Sequence, residues 1–174
     1  DGPYNPPRPP APPHQQKLMA HREGTEPREA AREIVTRFAT RAFRRPAKAE
    51  EIEKILAIYD LSEQEGDRFE DRIRLAMCRV LVSPHFLFRV EVDPPGAKAG
   101  DAYDVSELEL ASRLSYFLWN TMPDEELFAL AEHGKLRENV QAQLQRMLDD
   151  PKSAAFVENF AGQWLTLRKL PLVS

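Results

Sequence analysis

Apolar residues recur at helical spacing from about residue 25 to the end of this chain of 174 residues. A period of about 3.6 residues places such side chains along one face of a helix. The alternation that marks a strand is scarce, and its only candidate is a short extended pair formed by residues 90–92 and 103–105. The pattern therefore predicts an all-α fold, with two packed helical lobes and a Pro-rich N-terminal arm.

The arm, residues 1–24, differs in composition from the rest of the chain, because it contains nearly half of the 15 prolines. Proline has no backbone N–H to donate, and a run of prolines favours extended polyproline geometry. We interpret the segment as a linker or as an arm that lies on a neighbouring module. A Pro-rich ligand for a partner domain is the alternative.

The first lobe is predicted over residues 25–92. Thr25 or Glu26 can begin its first helix, with Pro27 in the first turn. A second helix is predicted over 49–64 and a third over 67–82. Ser83 and Pro84 then end the third helix or bend it.

Residues 93–103, rich in proline and glycine, are predicted to connect this lobe to a second one over 104–174. Ser106 and Glu109 form a capping box at the start of a helix that is apolar on most sides. Further helices are predicted near Pro123, Glu138 and Asp150. The expected buried side of the last one consists of Ala155, Phe156, Phe160, Trp164, Leu165 and Leu167. The apolar end of the chain predicts that the native polypeptide continues.

Charge gives no reason to expect polyanion binding, since the net charge is -4. Six arginines lie in or just after the first helix, but Glu29 and Glu33 share it, and Glu33 precedes Arg37 by four residues. We therefore predict a solvated or inter-lobe face with weak intrahelical pairs, and no nucleic-acid partner. No apolar run reaches the roughly 20 residues of a transmembrane helix.

Cys78 is the only cysteine, which excludes an internal disulfide, a four-cysteine zinc site and Cys-x-x-Cys-His haem attachment in this chain. Its apolar helical surroundings predict a buried residue. The four histidines are scattered without metal-ligand spacing. We expect no metal and no cofactor bound by this chain, and no catalytic residue is assigned.

Five residues are candidates for a site, on the hypothesis that they converge on one pocket: His85, Arg89, Arg113, Tyr116 and Asn120. The structural alternative for His85 is a satisfied residue among aromatic neighbours. For Arg113 the alternative is an ion pair with Glu109 that fixes helix packing.

Several stretches resemble a known family, with the strongest likeness in Phe38–Pro46, Leu81–Glu91, Glu109–Pro123, Arg146–Lys152 and Phe160–Leu165. They are similar to the adjoining domains of unknown function, also called planctomycete-specific domains, of large proteins from planctomycetes and related bacteria. The opening run from Gly2 to Pro6 is similar to the segment that precedes those domains.

The resemblance implies a large exported protein and hence an extracytoplasmic location, periplasmic or secreted. Many members carry a haem-c domain near the N-terminus, so haem c would belong to a neighbouring domain. The expected function is a non-catalytic helical scaffold or interaction module of such a protein, with other domains or subunits of the same protein or complex as partners. The alternative is a part of an extracytoplasmic enzyme, acting on redox substrates or polymers, whose site other domains complete.

Overall fold

A computed structural model of the protein describes residues 12–98 and 100–164, with only the backbone of Ala161 included. The described residues form helices and contain no strand, so the predicted all-α class is confirmed. The prediction of a short extended pair at 90–92 and 103–105 is therefore wrong. The helices are α1 Pro13–Met19, α2 Pro27–Phe43, α3 Ala49–Gln64, α4 Phe69–Leu81, α5 Pro84–Leu87, α6 Glu107–Trp119, α7 Glu125–Glu132 and α8 Val140–Asp149.

The chain continues from α8 into a C-terminal helical segment, residues 151–164. It begins with a 3-10 turn at Pro151–Ser153, capped by the side chain of Asp150. A π-helical turn, Val157–Ala161, follows one short α-helical turn and precedes another. A π turn inside a helix is uncommon and often occurs at functional sites.

Two compact units make up the chain, Asp1–Arg89 (unit 1) and Val90–Ser174 (unit 2). Unit 1 has its core among α2, α3 and α4, and apolar residues at helical spacing on these helices supply it. The buried members include Ile34, Val35, Phe43, Ile52, Ile55, Leu56, Tyr59, Ile73 and Val80.

The predicted arm contains a helix over residues 13–19, which corrects the expectation of extended geometry there. Pro13 is tolerated because it occupies the first helical position, where no backbone donor is needed. Met19 packs against the core of unit 1. Arg37 donates to the backbone oxygens of Leu18 at 3.0 Å and Ala20 at 2.6 Å, so it holds the end of α1 against α2. Residues 1–11 lie outside the described residues.

Arg37 therefore does not form the predicted pair with Glu33, which instead accepts from the backbone N–H of Arg22 at 3.1 Å. The segment that precedes α2 lies across this face of the helix. Its backbone therefore binds the side chains of Arg37 and Glu33, which cannot then pair with each other. Arg37 and Glu33 thus both contact other segments of unit 1.

Unit 2 has its own core around Trp119, which is buried together with Leu118, Leu127, Leu136 and Met147. The indole Nε1 of Trp119 donates to the backbone oxygen of Met147 at 2.9 Å, which joins the end of α6 to α8. Arg146 and Lys152 lie over the indole ring, with Lys152 Nζ 4.1 Å from its centroid. The burial of Leu118 and Trp119 agrees with the sequence of α6, which is apolar on most sides.

Burial on the C-terminal helical segment differs from the prediction. Phe160 is 47% exposed and Trp164 is 74% exposed, and Phe117 on α6 is 56% exposed. Phe156 is the aromatic residue of the segment that packs against the core of unit 2. Leu165 and Leu167 lie outside the described residues.

Candidate functional site

His85 lies at the start of a single helical turn that the sequence Ser83-Pro84 sets up. The hydroxyl of Ser83 accepts from the backbone N–H of His85 at 3.3 Å, and Pro84 occupies the first helical position. The imidazole is partly exposed and its Nε2 lies 3.2 Å from Oε1 of Glu51. Its ring packs edge-on against Phe43, with centroids 5.4 Å apart.

Glu51 is the acceptor at which several segments of unit 1 meet. Arg45 donates two hydrogen bonds to its carboxylate, at 2.9 Å and 2.7 Å, and the backbone N–H of Lys48 donates a third at 2.8 Å. The hydrogen bond from Arg45 lowers the pKa of Glu51 to about 2, against the opposing effect of burial and with help from Lys48. The carboxylate therefore stays ionised near neutral pH and is unsuited to act as a general acid.

Arg44 holds the backbone of the segment that contains His85. It is only 7% exposed, and its guanidinium donates to the backbone oxygens of His85 at 2.8 Å, Phe88 at 2.8 Å and Phe86 at 3.3 Å. Its backbone is left-handed, with φ of 59°, where α2 ends. The side chain thus fixes the geometry of α5 from the end of another helix.

A cavity of about 210 Å³ opens beside this cluster. Its lining combines apolar, hydroxyl and charged side chains, namely Phe43, Glu51, Lys54, Ile55, Arg79, Ser83, Pro84 and His85. Sequence reasoning singled out His85 but missed Glu51, Lys54 and Arg79. The spacing of Lys48 and Glu51 at a helix start indicates a capping carboxylate, but nothing local places Lys54 and Arg79 beside one cavity.

Arg113 in unit 2 pairs with Glu91, not with Glu109 as predicted. Its Nε and Nη2 lie 2.7 Å and 2.6 Å from the two carboxylate oxygens of Glu91. Glu109 is already occupied, because it accepts from the backbone N–H groups of Ser106 at 2.8 Å and Val92 at 2.9 Å. The predicted capping box is confirmed, and it removes Glu109 as a partner for Arg113.

The other candidates lie on α6 and at the end of unit 1. Tyr116 is half-buried on α6, three residues after Arg113, and Asn120 ends that helix in a left-handed conformation with φ of 52°. Asn tolerates this backbone better than most residues, which accounts for Asn120 structurally. Arg89 is exposed at the end of unit 1. Because His85 and Arg89 belong to unit 1 and the other three to unit 2, the convergence of all five stays a prediction.

Exposed aromatic rings form a row on unit 2, which we call the aromatic row: Phe117, Phe160 and Trp164. Phe160 stacks on Phe156 with centroids 5.1 Å apart, and Trp164 stacks on Phe160 at 6.0 Å. Phe117 contacts Phe160 edge-on at 6.1 Å. The three exposed rings are thus held in a defined arrangement above one half-buried ring.

Within the part of the chain that the structure describes, no group of three or more His, Cys, Asp or Glu side chains could hold a metal ion. Haem-c attachment does not fit this chain, because it needs two cysteines and Cys78 is alone. Cys78 is exposed, which corrects the predicted burial. Within the described ranges, no helix has the length and apolar character to cross a membrane.

The fold and these clusters define an all-α protein of two compact units, each with its own core. Residues 30–91 match the family model PSD5, a protein of unknown function (DUF1595), and residues 105–174 match PSD4, a protein of unknown function (DUF1592). The chain thus contains two domains of unknown function. No match was found among curated proteins or among solved structures.

Proposed function

We propose that this chain is a non-catalytic helical scaffold and interaction module within a larger exported, cytochrome-linked bacterial protein. The observation that carries the proposal is the aromatic row, three large rings exposed side by side on unit 2. Exposed aromatic side chains grouped in a patch are typical of surfaces that bind another protein.

The polar clusters support the scaffold half of the proposal. The strongest of them join segments of the same unit: Arg45 to Glu51, Arg44 to the backbone of α5, and Arg113 to Glu91. In each case the donors and acceptors are used to position the chain. Such groups are poorly available for proton transfer or substrate binding.

The partners proposed are other domains or subunits of the same protein or complex, in an extracytoplasmic compartment. The family resemblance supports this setting, and it supports haem c as the cofactor of a neighbouring domain. Two measurements on the native gene product test the setting: cell fractionation, and an optical spectrum. A cytoplasmic protein without a Soret band would contradict it.

Oxidative footprinting tests the interaction surface. The chain is labelled with hydroxyl radicals alone and within the assembly purified from its native source, and oxidation is measured at each aromatic residue. We expect several-fold protection of Phe117, Phe160 and Trp164 in the assembly. Tyr103, which is also exposed in unit 2, is the internal control and should change little.

Equal oxidation of the aromatic row in both states would contradict the proposal. The same result combined with turnover of a redox or polymer substrate by the native assembly would favour the enzyme-fragment alternative.

A further inference from the structure

We propose that the cavity of unit 1 binds a small organic anion, a carboxylate or phosphate with a short apolar part. The cavity is formed where α2, α3, α4 and α5 of unit 1 meet, whereas the aromatic row consists of residues of unit 2. The proposal is therefore independent of the interaction surface proposed above.

The first argument concerns the two cations of the lining. The side chains of Lys54 and Arg79 form no hydrogen bond or ion pair with any residue that the structure describes. Other cations nearby are engaged, as Arg45 is with Glu51 and Arg74 with Asp71. Two uncommitted positive charges from different helices beside one cavity are an arrangement that attracts an anion.

The carboxylate in the lining does not cancel this attraction. Arg45 neutralises Glu51, which also accepts from the backbone of Lys48 and contacts His85. Its oxygens are thus already occupied by donors from the protein. A cationic ligand would have to displace those donors and would also meet Lys54 and Arg79.

The size and the apolar wall define the ligand class further. Phe43, Ile55 and Pro84 supply apolar surface, while the hydroxyl of Ser83 and the ring of His85 add polar groups. At about 210 Å³ the cavity is smaller than the roughly 300–1,000 Å³ of sites for drug-sized ligands. It exceeds what a bare phosphate ion needs, which favours a small organic anion.

Titrations of the whole chain, followed by ¹⁵N–¹H NMR, test the proposal with three probes: phenyl phosphate, inorganic phosphate and phenol. We expect saturable shifts with phenyl phosphate, concentrated at the residues that line the cavity. Inorganic phosphate should bind more weakly because it lacks the apolar part, and phenol should bind more weakly because it lacks the charge.

Two double variants separate the site from general electrostatics. Lys54→Gln with Arg79→Gln should weaken phenyl phosphate binding by about tenfold or more, since two charge-assisted contacts are lost. Arg68→Gln with Arg74→Gln removes the same net charge at and within α4, where both arginines pair with Asp71, and should leave the affinity within about twofold. Circular dichroism confirms that both variants fold.

Three results would overturn the proposal: shifts that do not saturate or that map elsewhere, equal weakening in the two variants, or phenol binding as tightly as phenyl phosphate. If either double variant unfolds, the single variants Arg79→Gln and Arg74→Gln take their place. Arg79→Gln should then weaken phenyl phosphate binding more than Arg74→Gln does.

Discussion

Arg45 and Glu51 form a two-point ion pair between the end of α2 and the start of α3, with nitrogen–oxygen distances of 2.9 Å and 2.7 Å. The same carboxylate caps α3 through the backbone of Lys48 and lies 3.2 Å from His85. One ionised group thus fixes the connection between two helices and the position of a third segment.

This relationship predicts acid sensitivity in unit 1. The pKa of Glu51 is lowered to about 2, so its charged form stabilises the fold above the ordinary pKa of an unfolded glutamate, about 4.3. That stabilisation is lost as the pH falls from about 4.3 to about 2. Glu51→Gln should therefore lower the free energy of unfolding at pH 7. Between pH 7 and pH 2.5 the free energy of unfolding of this variant should fall less than that of the wild type.

Hydrogen exchange of the most protected amides of α3, measured at several pH values, reports the free energy of unfolding of this unit. Glu70→Gln is a control at an exposed carboxylate that forms no ion pair with any of the described residues. Parallel pH dependence of the wild type and Glu51→Gln would rule out Glu51 as the source.

Arg44 combines a strained backbone with hydrogen bonds from its side chain to three backbone oxygens, and a pair of variants separates the two effects. Arg44→Ala leaves the carbonyl oxygens of α5 without their donor and should cost about 2 kcal/mol. Arg44→Gly loses the same bonds but adopts a φ of 59° without a Cβ clash. The glycine variant should be more stable than the alanine variant by about 1 kcal/mol.

Chemical denaturation, monitored by hydrogen exchange of the α2 and α3 amides, gives the free energy of unfolding of both variants. If Ala and Gly are equally stable, the left-handed backbone is not maintained in solution.

Substitution of the two tryptophans should change the free energy of unfolding by very different amounts. Trp119→Ala removes a buried ring together with its hydrogen bond to Met147 and should cost about 3–5 kcal/mol. Trp164→Ala removes a ring that is 74% exposed and should change the free energy of unfolding of the isolated chain by about 0.5 kcal/mol or less. Amide exchange in α6 measures both, and a large loss for Trp164→Ala would show that its ring is covered in solution.

Glu109 links the start of α6 to Val92, which gives a local test. Ser106→Ala should cost about 1 kcal/mol through the lost cap and leave the Val92 amide protected. Glu109→Ala should destabilise α6 and also expose the Val92 amide, so its exchange should accelerate selectively. Similar exchange at Val92 in both variants would contradict the contact.

Some failures of sequence-based prediction have clear physical causes. Cys78 lies two residues after Ala76 and two before Val80, both buried, so it occupies the opposite side of α4 and is exposed. The apolar neighbours on its own helix gave no information about which side faces the core. Phe160 and Trp164 were expected to be buried because they share a helical face with Phe156, but the core of unit 2 extends only as far as Phe156.

The sequence by itself determined most helices from α2 onward and several of their ends, because these depend on residues three or four positions apart. The apolar residues of α2 and α3, the first-turn proline Pro27, the break at Ser83-Pro84, and the capping box of Ser106 and Glu109 are all local patterns. Only the tertiary structure decided that Arg113 pairs with Glu91, that Arg44 holds α5, and that Lys54 and Arg79 border one cavity. Those outcomes depend on which distant segments compete for each group, and helical periodicity carries no information about distant neighbours.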